Sequence, residues 1–171
     1  MVTSIHEITP DILKDVALLR CFNEQELIRL TLMGEEAFYQ ADTNIVIEGD
    51  THGGLFLLMQ GLVGVYKMNP ATSDLVELAR LRAGQFFGEM SLIDEQPRVA
   101  TVRALLETKV YTVPADRFQQ FLGEDADRRS RFLEGCVREL ARRLRDLDES
   151  YVMSQYQLWK IAVGHPEGEA A

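Results

Sequence analysis

The chain has 171 residues and a formal net charge of −9, which excludes bulk electrostatic binding to nucleic acid, since that relies on a basic face. Its hydrophobic fraction of 46% is ordinary for a globular domain, no apolar run is long enough to cross a membrane, and Met1 to Pro10 carries no signal-peptide pattern. Two cysteines, Cys21 and Cys136, do not make a disulfide framework, so a cytoplasmic protein in a reducing compartment is expected.

In chain order, Ile12, Val16, Leu19 and Phe22 recur at helical spacing over Thr9 to Phe22. Asn23-Glu24-Gln25-Glu26 reads as a capped helix start, with Asn23 accepting from the first turn and Glu26 reaching back. From Glu35 to Val113 the period shortens. Strands are expected near Ala37–Tyr39, Asn44–Ile47, Leu55–Met59, Leu62–Met68, Asp74–Leu81, Val99–Leu105 and Lys109–Val113. Gln60-Gly61 and Leu106-Glu107 separate such runs as tight connections do, and Asn69 to Ser73 is a longer polar loop. Short antiparallel strands connected in this way predict a jelly roll or closed roll.

Within that region the stretch Phe86 to Val102 concentrates chemistry. Gly88-Glu89 follows two aromatics, and a glycine beside a carboxylate lets backbone approach a ligand closely. Met90 to Ile93 can form one helical turn whose free N–H groups attract an anion. Arg98 precedes Val99-Ala100-Thr101-Val102, which reads as a strand and would hold the arginine on a rigid element. A ligand with a phosphate and a hydroxyl group would satisfy the acid, the base and the helix start together. The plainer alternative is a Glu89–Arg98 salt bridge across a strand connection.

From Pro114 the pattern turns helical. Phe118 and Phe121 sit three apart before Gly123, and a longer helix runs from about Asp125 to Val163. Leu133, Val137, Leu140, Leu144, Leu147, Tyr151, Ser154, Leu158 and Ile161 follow steps of four and three, a heptad seam broken only at Ser154. A straight helix that long outruns a small roll, so a parallel homodimer through this seam is expected. Gly164 to Ala171 has no apolar anchor and is expected to be disordered. The expected division is 1–124 for the roll with its helical lead-in, 125–163 for the dimerisation helix and 164–171 for the tail.

Phe87-Gly88-Glu89, the apolar turn, Pro97-Arg98 and Ala100-Thr101-Val102 resemble, in order and spacing, the phosphate-binding cassette of cyclic-nucleotide-binding domains, as in the catabolite activator and the protein kinase A regulatory subunits. Ile47-Glu48-Gly49-Asp50, Phe56 to Met59, Gly61, Val63 and Val65 extend the likeness over the first half of the domain. Ala41-Asp42-Thr43-Asn44 and Thr51-His52-Gly53-Gly54 depart from the family pattern, at loops. The resemblance implies an α+β fold, an antiparallel β-roll (jelly-roll-like, a double-stranded β-helix) flanked by N-terminal helices and a long C-terminal helix.

It also implies roles. Arg98 pairs with the exocyclic oxygens of a cyclic phosphate, and its planar donor fork fits them. Backbone N–H groups near Met90 and Ser91 share the phosphate, and Glu89 accepts from the ribose 2′-hydroxyl. Gly88 leaves room for the sugar, and Ala100 lets the strand come close. Val65, Leu78 and Leu81 would line the purine, or else serve as plain core. Family members that prefer cyclic GMP commonly have threonine where this chain has Val99, so cyclic AMP is favoured over cyclic GMP. Ala141-Arg142-Arg143-Leu144 resembles the activator's dimer helix, which places Leu147 and Asp148 near the base; a solvated face is the other reading of Asp148. Tyr151, Tyr156 and Trp159 are either base-capping aromatics or seam residues.

His6, His52 and His165 have no metal-ligand spacing, and Asp50-Thr51-His52 reads as a turn, so no metal or cofactor is expected. Ser91 is not in a nucleophile-elbow sequence, and no enzyme is expected. The expected function is a cyclic-nucleotide sensor acting on a partner protein through the C-terminal helix. Its rivals are an interaction protein that binds no nucleotide and a cyclic di-GMP effector. A DNA-binding regulator is disfavoured by the acidity and because nothing after Val163 could supply a recognition helix. No membrane partner is expected.

Overall fold

Alternation along β3, Gly54–Gln60, organises the molecule in the computed structural model, which describes residues 8–51 and 53–163. Leu55 and Leu57 face one core, while Phe56 and Leu58 face another. A strand buried on both faces needs the near-continuous apolar run seen here. Its antiparallel neighbour β8, Thr108–Pro114, splits the same way, with Tyr111 and Val113 on the first side and Val110 on the second.

These strands belong to an antiparallel sheet completed by β1, Glu35–Tyr39, and β6, Phe86–Phe87, in the order β1-β8-β3-β6. A second sheet holds β2, Asn44–Val46; β4, Leu62–Met68; β5, Leu75–Arg82; and β7, Thr101–Ala104. Its order is β2-β7-β4-β5. The two sheets enclose the smaller core of Val46, Phe56, Leu58, Val63, Phe87 and Val102. The expected α+β roll is the observed fold.

The larger core lies between the first sheet and the helices. The expected lead-in helix is two pieces: α1, Pro10–Lys14, and a 3-10 turn, Ala17–Cys21. Val16 between them is extended (ψ 116°), which breaks the helix while keeping its side chain fully buried. α2, Glu24–Thr31, opens with the expected capping box: Glu26 N–H donates to Asn23 at 2.9 Å and Asn23 N–H to Glu26 at 2.8 Å. The Tyr111 hydroxyl donates to Leu30 O (2.8 Å) and accepts from Gly34 N–H (2.9 Å), which fixes the end of α2 on the sheet.

Two further differences from the sequence expectation touch the cassette. The pair Phe86-Phe87 is itself a short strand, one ring in each core, too brief for periodicity to reveal. The strand expected from Val99 begins only at Thr101, so Arg98 lies in irregular backbone that leads into a bend at Val99-Ala100, and not on a rigid strand. Between them α3, Glu89–Asp94, is the expected apolar turn.

α4, Ala115–Gly123, packs Phe118 and Phe121 into the larger core. α5, Ala126–Val163, is one helix of 38 residues, about 57 Å long. Its base buries Arg128, Phe132 and Cys136. From Leu144 to Val163 every residue is exposed. Residues 164–171, for which disorder was expected, lie outside the described residues, as do His6, His52 and His165.

Candidate functional site

Phe56 and Phe87 stack face to face at 4.9 Å across the β3–β6 ladder, and they form the floor on which Arg98 rests. The Arg98 guanidinium lies 5.3 Å from the Phe56 ring centre and is 6% exposed. Its Nη1 donates to Gly88 O at 2.9 Å and its Nη2 to Gly54 O at 3.0 Å. Its Nε–H is buried and has no acceptor. The backbone is tied as well: Arg98 N–H donates to Asp50 O and Gly49 N–H to Arg98 O, both at 2.8 Å. Burial lowers the pKa of the guanidinium, and the nearby Glu89 and Asp50 carboxylates oppose that shift.

Gly88 occupies the left-handed region (φ 88°) at the N-terminal boundary of α3. A Cβ there would come within 2.7 Å of both Arg98 Nη1 and Gly54 O. The glycine is therefore required by the arginine's seat.

Glu89 is only 2% exposed. Burial raises its carboxyl above the usual range, and Arg143 of α5 opposes that rise. Arg143 Nη1 meets Glu89 Oε1 at 2.8 Å, and Nη2 donates to Phe86 O at 2.9 Å. Glu139 holds the same arginine through Nε at 2.9 Å. The plain Glu89–Arg98 salt bridge is thus not formed; Glu89 pairs with a residue 54 positions away. Arg143 is the cavity residue that sequence reasoning missed, since Ala141-Arg142-Arg143-Leu144 had read only as a likeness to a dimer helix.

A cavity of about 810 Å³ opens between the second sheet, the cassette and α5. It brings together nearly all the expected residues. Gly88, Glu89, Met90, Ser91, Arg98 and Val99 line it, as does Ala100. Val65, Leu78 and Leu81 form the sheet wall; Leu81 also belongs to the smaller core and Val65 packs against it, whereas Leu78 is exposed and is not a core residue. Leu147 lines the helix wall, but Asp148 does not. One helical step turns a side chain by about 100°, and α5 instead presents Asp146 and Ser150. Tyr151, Tyr156 and Trp159 lie beyond the cavity, exposed, and the last two stack on each other at 6.1 Å. Among the described residues no group of His, Cys, Asp or Glu is arranged to hold a metal.

A buried arginine over an aromatic floor and a buried carboxylate line one cavity of nucleotide size, an arrangement that suits a small organic phosphate with a hydroxyl group. The sequence of residues 36–125, more than half of the chain, matches the family model for the cyclic nucleotide-binding domain. The chain belongs to that family. It is 34% identical over 114 residues to cGMP-dependent protein kinase, isozyme 1, of Drosophila melanogaster, covering 66% of this chain and 15% of that protein. It is 31% identical over 113 residues to the cAMP-dependent protein kinase regulatory subunit of Eremothecium gossypii, covering 66% of this chain and 24% of the relative. The chain therefore spans less than a quarter of the length of these relatives. Among solved structures, a cyclic nucleotide-binding domain from Methylobacillus flagellatus superposes with a TM-score of 0.72 at 24% identity, over 85% of each chain. The regulatory domain of Toxoplasma gondii protein kinase A with cAMP gives 0.61 at 24% identity, over 66% of this chain and 42% of that one. These two likenesses concern the fold.

Proposed function

We propose that this cyclic nucleotide-binding domain is a sensor that takes cyclic AMP in preference to cyclic GMP and signals through α5 to a partner protein. The observation that carries it is Arg98: a buried guanidinium whose Nε–H has no acceptor, on the wall of a cavity that also holds the buried Glu89. A donor left unpaired in such a place costs free energy that a phosphate oxygen would recover. Arg98 and the N–H groups at Met90 and Ser91 would bind the phosphate, and Glu89 the ribose hydroxyl. Val65, Leu78, Leu81 and Leu147 would enclose the base. No metal, cofactor or catalytic step is assigned.

Signalling follows from Glu89. Its carboxylate is the acceptor for Arg143, so a ribose hydroxyl that bonds the same carboxylate alters the contact that ties α5 to the cassette. The ligand can shift α5 only by its difference in affinity between the two helix positions. The cysteines, Cys21 and Cys136, are free thiols, which suits a cytoplasmic site of action. Among the described residues no helix is long and apolar enough to cross a membrane.

Titration calorimetry with cyclic AMP, cyclic GMP and cyclic di-GMP tests the ligand assignment. Cyclic AMP is expected to bind most tightly; heat from cyclic di-GMP alone, or from none, overturns it. Val99→Thr should shift the ratio toward cyclic GMP by no more than about one hydrogen bond, roughly 1 kcal/mol. An unchanged ratio removes the basis for the preference.

A parallel homodimer through α5 is the second part of the proposal. Leu144, Leu147, Tyr151, Leu158 and Ile161 of the heptad seam are 56–78% exposed, an apolar stripe that a second copy would cover. Leu144→Glu puts a charge in that seam and should give monomers by light scattering while the roll still folds. Because Leu144 also lines the cavity, the variant should change nucleotide affinity too. A monomer for the unmutated protein at micromolar concentration defeats the dimer.

A further inference from the structure

The register of β4 against β7 pairs Val65 with Val102 and Tyr66 with Thr101. Continued by two residues, it would set Lys67 opposite Ala100 and Met68 opposite Val99. The ladder stops instead, and side chains occupy the gap. Lys67 Nζ donates to Val99 O at 2.6 Å. Glu48 Oε2 accepts from Met68 N–H at 3.2 Å. Glu48 Oε1 and Lys67 Nζ meet at 2.6 Å. The chain Met68 N–H, Glu48 carboxylate, Lys67 ammonium, Val99 carbonyl therefore joins two backbone groups that a regular ladder would bring together directly. Glu48 is fixed in turn by its own N–H, which donates to Thr101 Oγ1 at 3.0 Å. Lys67 and the Met68 N–H hold the Glu48 carboxyl below the usual range, so the ion pair is intact at neutral pH.

We propose that the Glu48–Lys67 pair wedges the Arg98–Ala100 segment away from β4 and so sets the affinity of the site for its anionic ligand. Lys67 is then a positioning residue acting through Val99 on Arg98. This rests on the cyclic-nucleotide reading above. The segment is the part of the cassette between the phosphate-facing arginine and the first ladder residue, Thr101. Its carbonyls at Arg98 and Val99 are held by Gly49 N–H and Lys67, and not by β4 backbone. Without the wedge, β7 can zip further onto β4 and draw Val99 and Arg98 out of the cavity wall.

The alternative role for Lys67, a positive charge on the cavity wall that attracts phosphate, makes the opposite prediction for its partner. Removing Glu48 deletes a negative charge near an anion site, so simple attraction would tighten binding. Positioning requires that it weaken. The full chain and the variants Lys67→Met, Lys67→Arg and Glu48→Ala would be titrated with cyclic AMP by calorimetry, with thermal unfolding of the ligand-free proteins alongside. Lys67→Met and Glu48→Ala are each expected to weaken binding by about fivefold or more, the scale of coupling within one hydrogen-bond network. Lys67→Arg should recover part of the loss. Unfolding midpoints should move by only a few degrees, since the two side chains are 47% and 29% exposed. If Glu48→Ala unfolds, Glu48→Gln removes the same charge with less disturbance and gives the same comparison. Unchanged or tighter binding in the Glu48 variant overturns the proposal, as does parent-like binding by Lys67→Met. Absence of cyclic AMP binding by the unmutated chain overturns the nucleotide reading, and this one with it.

Discussion

Arg98→Ala is expected to weaken cyclic AMP binding by about 2–5 kcal/mol, the usual loss when one side of a desolvated charge pair is truncated. That is about 30- to 4,000-fold in the dissociation constant. Among the described residues the guanidinium is the one buried cation on the cassette side of the cavity, and lysine cannot reproduce its donor fork, so Arg98→Lys should recover little. The same substitution should also cost stability. Gly88 O and Gly54 O both accept from the guanidinium, and buried carbonyls stripped of a partner cost about 1–3 kcal/mol each unless water replaces it. Calorimetry on the folded variant separates the two effects. Parent-like binding would mean that the phosphate does not lie at Arg98.

The strands β3 and β8 were open to sequence reasoning because each is a short run rich in apolar, aromatic and β-branched residues. The capping box at Asn23 and Glu26 was open for a similar reason, since its two bonds lie within four residues. Most of the cavity wall was legible too, because one continuous cassette supplies Gly88 to Ser91 and Arg98 to Ala100. What escaped depends on distance in sequence. Nothing local marks Arg143 as the partner of Glu89. The bend at Val99 escaped because Val99-Ala100-Thr101-Val102 has good strand propensity throughout. The carbonyl of Val99 is taken by a lysine side chain from another strand, and propensity cannot register that. Asp148 was expected near the base from the likeness to a dimer helix, which does not fix the helical phase that brings Asp146 to the cavity instead.

The second large effect is expected far from the cavity, at Glu26. This carboxylate is 5% exposed and joins α2 to the base of α5. Its Oε1 meets Arg128 Nε at 3.1 Å and Arg131 Nη2 at 2.8 Å, while Oε2 accepts the Asn23 cap N–H. Arg128 is itself 8% exposed, sits 4.1 Å from the Phe121 ring centre and donates to Phe121 O. Glu26→Ala would deprive that buried cation of its buried counter-charge and leave the half-exposed Glu124, at 3.5 Å, as its remaining ion-pair partner among the described residues. Breaking a buried pair from one side costs about 3–5 kcal/mol; with Glu124 remaining, the low end applies. For a chain of this size that lowers the melting temperature by roughly 6–12 °C, taking about 2–4 °C per kcal/mol. Glu26→Gln keeps a group that can close the capping box and should lose less. The pH dependence separates charge from packing. Burial acts to raise the Glu26 pKa, but bonds from Arg131, the Asn23 N–H and Arg128 outweigh it and the value is lowered. A lowered folded pKa gives stability that is complete above the ordinary glutamate value of about 4.3 and is lost as pH falls through the folded value. The parent should therefore lose its advantage over Glu26→Gln as the solution is acidified below that range. Thermal unfolding of both proteins at neutral pH and at about pH 3 measures this, taking pH 3 as below the unperturbed carboxylate. A gap that stays constant across the two conditions would show that the charge of Glu26 contributes nothing to holding α5 on α2.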